Sequence, residues 1–345
     1  MKHLSLFVFA LVFLTACSDE KERKSEETNI PAESTASGPS AGVLVPALPL
    51  SDFPDQSYAL YLPKSWNDQD GFNAIVFLDP HANGQAPLEI YRHLADSFNT
   101  ILVGSNSIRN GQTFPVSGTM LNNLIKDVQS KYKLSSKPIL SGFSGGAKVA
   151  LSFAMQSNIE RVIYCGAVAP IGDKDSLRLL GFAGLGDMNY ADLVAFDLAF
   201  RNTKIQNTII EWKGDHNYPG ADIYVDAFTW IAGQTIPDLA AKKPSISQEE
   251  LLQEQSIKSK YYQAFKNQES LEWWTQEIGN LNELAKQDMM YSRVLGFIGL
   301  ACYSYTSQNL KSGNRQQAIY FVKVYEMATP NNPDMRAFKQ QLGLN

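Results

Sequence analysis

Between Val43 and about Gly233 the chain alternates short apolar runs with amphipathic stretches. The runs are Tyr58–Leu62, Ala74–Leu78, Ile101–Val103, Pro138–Leu140, Val162–Cys165, Leu179–Ala183 and Thr208–Trp212. Each is short, and several are bounded by Gly, Pro, Asn or Asp, as strands buried on both faces should be. Helical candidates lie between them at Leu88–Phe98, Gly118–Tyr132, Gly145–Gln156, Tyr190–Thr203 and Gly220–Ala232. This order predicts an α/β fold, a mostly parallel sheet with helices on both faces. In such sheets the chemistry gathers at the carboxyl ends of the strands.

Composition sets the outer bounds. The chain has 345 residues, 44% hydrophobic and 19% charged, with a formal net charge of −5. Length alone suggests about two domains, at roughly 150 residues each. The acidic balance argues against nucleic acid as a partner, because binding there relies on Lys and Arg neutralising phosphates. Three Cys are too few for a disulfide scaffold or a four-thiolate metal site.

The apolar content is uneven. Lys2 precedes the run Leu4–Leu14, whose length suits a signal-peptide core and is too short to cross a bilayer. The run closes on Leu14-Thr15-Ala16-Cys17, which resembles the bacterial lipobox. That resemblance implies cleavage of residues 1–16 as a lipoprotein signal peptide and lipid on Cys17, hence a membrane partner through the acyl chains. Residues 17–42 are charged or small and lack aromatics, which predicts a flexible lipidated tether. The expected location is the bacterial cell envelope, lipid-anchored at the outer membrane. Ser18-Asp19-Glu20 resembles a surface-export signal of lipoproteins of the Bacteroidetes type, and an ordinary solvated linker facing the periplasm is the equal alternative.

The sharpest local motif is Gly142-Phe143-Ser144-Gly145-Gly146, set between the run ending at Leu140 and the helical stretch from Ala147. A nucleophile on a tight strand-to-helix turn needs Gly on either side, because neighbouring backbone passes close. The helix N-terminus behind it favours a developing negative charge. A serine nucleophile needs a base, usually His. Of four His, His3 leaves with the signal and His93 falls inside a helical stretch. His81 and His216 each follow a strand candidate. No second His or Cys stands at ligand spacing from His81, so it reads as a loop-shaping residue and no metal site is expected.

Gly142-Phe143-Ser144-Gly145-Gly146, Gly186-Asp187-Met188-Asn189-Tyr190 and Gly214-Asp215-His216 together resemble the α/β-hydrolase superfamily, on its esterase and dienelactone-hydrolase side. The resemblance covers residues 43–235. It implies a Ser–acid–His order along the chain, which selects His216 as base and Asp187, in a Gly-bounded turn after a strand, as acid. Asp215 reads as a loop-shaping neighbour. The oxyanion hole is expected from the N–H of Gly145 and from the loop Asp79–Gly84, where Ala82 stands at the position many hydrolases give to Gly. The implied activity is a carboxylesterase-type serine hydrolase acting on a small-molecule or polymeric ester, with no metal and no organic cofactor. A serine peptidase and a catalytically idle scaffold that binds a partner in the envelope are the alternatives.

Residues 246–345 form the expected second region, small and all-α, with helices predicted at Gln248–Lys266, Ser270–Lys286, Met289–Ser307, Gln316–Ala328 and Pro333–Leu342. Ser312–Pro333 resembles one degenerate tetratricopeptide repeat, with Ala318 and Pro330 in register and Tyr325 where a small residue is expected. A lone repeat cannot bury its apolar face. This region is therefore either packed on itself or on the hydrolase, or a docking surface for a protein partner.

Overall fold

The computed structural model describes residues 38–172, 174–201 and 203–344. The signal peptide, Cys17 and most of the tether lie outside the described residues.

Eight strands form one sheet: β1 (Leu44–Pro49), β2 (Ser57–Tyr61), β3 (Asn73–Leu78), β4 (Thr100–Ser105), β5 (Ile139–Phe143), β6 (Arg161–Cys165), β7 (Arg178–Gly184) and β8 (Gln206–Trp212). Their order across the sheet is β1-β2-β4-β3-β5-β6-β7-β8. β2 pairs antiparallel with both β1 and β4, whereas β3 pairs parallel with both β4 and β5. The helices interleaved with the strands are α1 (Gln85–Phe98), α2 (Phe114–Lys131), α3 (Gly145–Gln156), α4 (Tyr190–Phe200) and α5 (Ala221–Ile231). After a short 3-10 turn at Leu239–Lys242 come α6 (Gln248–Asn267), α7 (Leu271–Ala285), α8 (Met289–Lys311), α9 (Arg315–Ala328) and α10 (Pro333–Leu342). This mostly parallel sheet with its helices, followed by an all-α region, is the α/β-hydrolase fold expected from the sequence. No described helix is long and apolar enough to cross a membrane.

Every apolar run read as a strand forms one. β1 is the addition: its exposed residues include Pro46 and Pro49, which an edge strand tolerates because its outer N–H groups have no ladder partner to lose.

The chain divides into two compact units that cut across the boundary drawn near residue 235. Unit one runs up to Tyr164 and adds Val168–Leu179 and Gly220–Ile236. Its centre is aromatic: Tyr91 of α1 stacks on Tyr224 of α5 at 4.0 Å between ring centroids, and Phe77 of β3 lies 5.7 Å from Tyr91. The Tyr224 hydroxyl shares a 2.6 Å hydrogen bond with Ser141 Oγ on β5, so the aromatic stack meets the strand that leads to Ser144.

Unit two comprises Cys165–Ala167, Leu180–Pro219 and the chain from Pro237 onward. Helices α6–α9 bury a shared core around Phe265, Trp274, Val294, Ile298, Phe321 and Tyr325. The polar edge of Trp274 is satisfied: its Nε1–H donates to Tyr320 Oη at 2.8 Å, and that hydroxyl donates to the Glu269 carbonyl at 2.6 Å. Helix α6 opens with a capping box in which Ser247 Oγ accepts from the Glu250 N–H at 3.2 Å and Glu250 Oε2 accepts from the Ser247 N–H at 2.8 Å. Tyr261 and Trp274 are buried in this core with Trp273 packed against it, and residues 312–333 form α9 and the start of α10.

Candidate active site

Unit one carries Ser144, Gly145 and Ala82. Ser144 sits between β5 and α3 with φ 51° and ψ −119°, a left-handed conformation that costs a residue with a Cβ on the order of 1–3 kcal/mol. The surrounding Gly residues are what make the turn possible. A Cβ on Gly142 would collide with the backbone of Ala147, and one on Gly146 would collide with the Leu78 carbonyl at the end of β3. The start of α3 is thus in backbone contact with β3 at Gly146 and with the end of β5 at Gly142, and a larger residue at either position would break the contact made there. Ser144 is half-buried, and its carbonyl accepts the first helical bond of α3 from Ala147 at 3.0 Å. Gly145 and Gly146 occupy the first turn of α3, where N–H groups have no acceptor within the helix.

The loop after β3 is organised by Asp79, which is 6% exposed. Its Oδ1 accepts from the N–H of His81 at 2.8 Å and of Asn83 at 3.2 Å, and its carbonyl accepts from Ala82 N–H at 3.2 Å. Ala82 is driven to φ 58°, the conformation for which Gly is the usual residue. His81 bridges to Arg109, and Asn110 N–H donates to the Pro80 carbonyl at 2.8 Å. The Asn110 side chain lies so close over Gly145 that a Cβ there would overlap its Oδ1. Neither Asp79 nor Asn110 was singled out in the sequence. Asp79 could have been found, since Asp followed by Pro after a strand is a turn signal; Asn110 carries no such signal.

Unit two carries Asp187 and His216. The loops after β7 and β8 are zipped together by Leu185 N–H to the Trp212 carbonyl at 3.0 Å and Gly186 N–H to the Gly214 carbonyl at 2.9 Å. The approach needs Gly on the β7 side: a Cβ on Gly184 would lie 2.6 Å from the Gly214 carbonyl oxygen, and one on Gly186 would overlap the Asp215 carboxylate. Asp215 therefore packs against the loop that carries Asp187. The zipped loops bring His216 Nδ1 to 2.9 Å from Asp187 Oδ1 and 3.0 Å from Oδ2. Asp187 is 2% exposed, and its Oδ1 also accepts from Asn189 N–H at 2.8 Å. Asn189 in turn donates its side-chain N–H to the Gly166 carbonyl at 2.7 Å. The Cys165 thiol is pushed well up by burial and, secondarily, by the charge of Asp187. Burial and the hydrogen bond to Glu211 likewise raise the phenol of Tyr190, which keeps it a donor to Glu211 Oε2 at 2.5 Å. Among the described residues no group of three or more His, Cys, Asp or Glu could hold a metal ion.

No family model matches the chain and no curated protein matches it. Among solved structures it is similar to an esterase from the archaeon Pyrobaculum calidifontis, at 12% identity and a TM-score of 0.44 over 56% of this chain and 85% of that one. It is similar to an S-formylglutathione hydrolase from Staphylococcus aureus, at 14% identity and a TM-score of 0.46 over 56% of this chain and 98% of that one. A carboxylesterase from Mesorhizobium loti gives 15% identity and a TM-score of 0.43 over 55% of this chain and 100% of that one.

Proposed function

We propose that the protein is a serine hydrolase of carboxylesterase type, with Ser144 as nucleophile, His216 as base and Asp187 as acid. The observation that carries this reading is the backbone of Ser144: a non-Gly residue is held at φ 51° on a strand-to-helix turn, between Gly residues that admit no Cβ. Strain of that kind persists only where the surroundings impose it, and a serine on such an elbow is the arrangement that exposes an attacking Oγ. The Asp187–His216 contact supports the same reading, because a carboxylate on Nδ1 fixes the tautomer in which Nε2 is basic.

In the proposed reaction Ser144 Oγ attacks the ester carbonyl while His216 Nε2 takes its proton. The negative charge that forms on the carbonyl oxygen is received by the N–H groups of Gly145 and Ala82, the latter exchanging its long bond to the Asp79 carbonyl for the oxyanion. Collapse expels the alcohol, which leaves with the proton from His216. Water then enters, gives a proton to His216 and releases the acid from Ser144.

A fluorophosphonate probe tests this. Purified protein should label covalently and turn over short-chain p-nitrophenyl esters, and Ser144→Ala should abolish both. Equal labelling of Ser144→Ala overturns the assignment of the nucleophile, and absence of both activities from the natural chain leaves the idle, partner-binding scaffold.

We also propose that Cys17 carries the lipid that anchors this enzyme in the bacterial envelope, on the strength of the Leu14–Cys17 motif and the polar tether after it. Cys17→Ser should move the protein from the membrane to the soluble fraction, and retention on membranes would overturn the anchor.

A further inference from the structure

Three buried charges in the all-α region are placed where an apolar core would be cheaper. Glu254 is 0% exposed, Arg293 6% and Lys258 7%. Arg293 donates to Glu254 Oε2 from Nη2 at 2.7 Å and from Nε at 2.9 Å, while Lys258 Nζ lies 2.7 Å from Glu254 Oε1. Desolvating such a cluster costs free energy that hydrophobic residues of similar volume avoid, so its retention asks for a second reason.

The remaining donors supply one. Arg293 Nη1 donates to the Leu185 carbonyl at 3.0 Å, and Lys258 Nζ donates to the Met188 carbonyl at 2.6 Å. These two carbonyls flank Asp187. The Arg293 guanidinium also lies over the Tyr190 ring at 4.7 Å, and Tyr190 N–H donates to the Asp187 carbonyl at 2.8 Å. Gly296, one turn along α8 from Arg293, keeps the helix close to the loop: a Cβ there would stand 3.1 Å from Met188 Cβ. Every one of these residues belongs to unit two.

We infer that Arg293, Lys258 and Glu254 are positioning residues for the triad acid. Glu254 orients the two cations, and the cations clamp the backbone on both sides of Asp187, so that the loop presents its carboxylate to His216 Nδ1. The all-α region thereby acts on the reaction through the loop, in addition to packing on itself. The inference rests on the serine-hydrolase reading above.

The test is kinetic and uses the full chain. Competent enzyme is counted by labelling to completion with a fluorophosphonate, and kcat is expressed per labelled site. Arg293→Met and Lys258→Met should each lower kcat per site by roughly ten- to a hundredfold, with KM nearly unchanged, as expected when a catalytic group is misplaced by about an ångström. Arg293→Lys should recover part of the loss, because it restores a cation though not the fork. In an Asp187→Asn background Arg293→Met should have no further effect, since both changes act through one carboxylate. Unchanged kcat per site in Arg293→Met and Lys258→Met, with only a lower unfolding midpoint, would overturn the clamp. Additive losses with Asp187→Asn would overturn it as well. If Arg293→Met does not fold, Lys258→Met and Glu254→Gln carry the same comparison. A natural chain that neither labels nor hydrolyses esters overturns the hydrolase reading instead, an outcome visible before any variant is made.

Discussion

At the scale of single residues, the Gly residues around Ser144 do different work, and the difference is measurable. The Cβ that Gly146→Ala would add meets the Leu78 carbonyl, a backbone atom of a central strand that cannot move without disturbing the sheet. The atoms nearest the Cβ added by Gly145→Ala belong to the end of the Asn110 side chain, which can rotate away. Gly146→Ala should therefore cost about 1–3 kcal/mol or more in urea unfolding and remove probe labelling. Gly145→Ala should unfold near the midpoint of the natural chain and lose turnover more than stability, because its side chain intrudes beside the proposed oxyanion donor. Equal unfolding midpoints for the two variants would show that the elbow is not locked against β3. Ala82 makes the converse case. It holds φ 58° without being Gly, so Ala82→Gly should preserve the loop, held as it is by Asp79.

At the scale of elements, the ends of α6 and α7 show how local chemistry decides where helices begin. Ser247 and Ser270 each accept a hydrogen bond from the N–H three residues on, and Ser247 belongs to a full capping box with Glu250. Ser247→Ala should destabilise unit two by about 1 kcal/mol in chemical unfolding while leaving ester turnover intact. A loss of turnover without a loss of stability would contradict a purely local role. The apolar strand runs and the Gly-x-Ser-x-Gly turn are legible in the sequence because each is set by neighbours a few residues away, whereas the expected helix beginning at Ser270 takes in the residue that caps it. β1 is not legible there, since Pro46 and Pro49 interrupt the alternation that marks a strand, and only pairing with β2 reveals an edge position. Helix α2 likewise begins earlier than the expected Gly118: Pro115 stands in its opening turn, where no intrahelical N–H bond is lost. The site divides in the same way. Ser144, Asp187 and His216 are proposed from short motifs and from the chain order that the α/β-hydrolase resemblance implies, whereas Asp79 acts through an Asx-type turn and Asn110 through a long-range contact with Gly145.

At the scale of the whole molecule, chain order and compact units disagree, and the disagreement carries a prediction. The sequence invites a boundary near residue 235, with an enzyme before it and a separable helical region after it. The fold instead groups Leu180–Pro219, including Asp187 and His216, with the helices from Pro237 onward. No local pattern could announce this, because the joining contacts are remote in sequence; Arg293 and Leu185 are separated by 108 positions. If the helical region were only a docking module, a chain ending at Ile236 would keep the proposed esterase activity and lose a partner. The grouping predicts the opposite. Removing Pro237 onward strips Arg293, Lys258 and Glu254 from the acid loop and uncovers the apolar surface that α4 and β8 bury in unit two. The shortened chain should be poorly soluble, and any soluble fraction should show a kcat per fluorophosphonate-labelled site at least about tenfold below that of the full chain. Comparing labelled fraction and turnover separates the two consequences: misfolding lowers the first, and loss of the clamp lowers the second. Full turnover in a soluble product ending at Ile236 would return the boundary to residue 235 and leave the helices free for a partner.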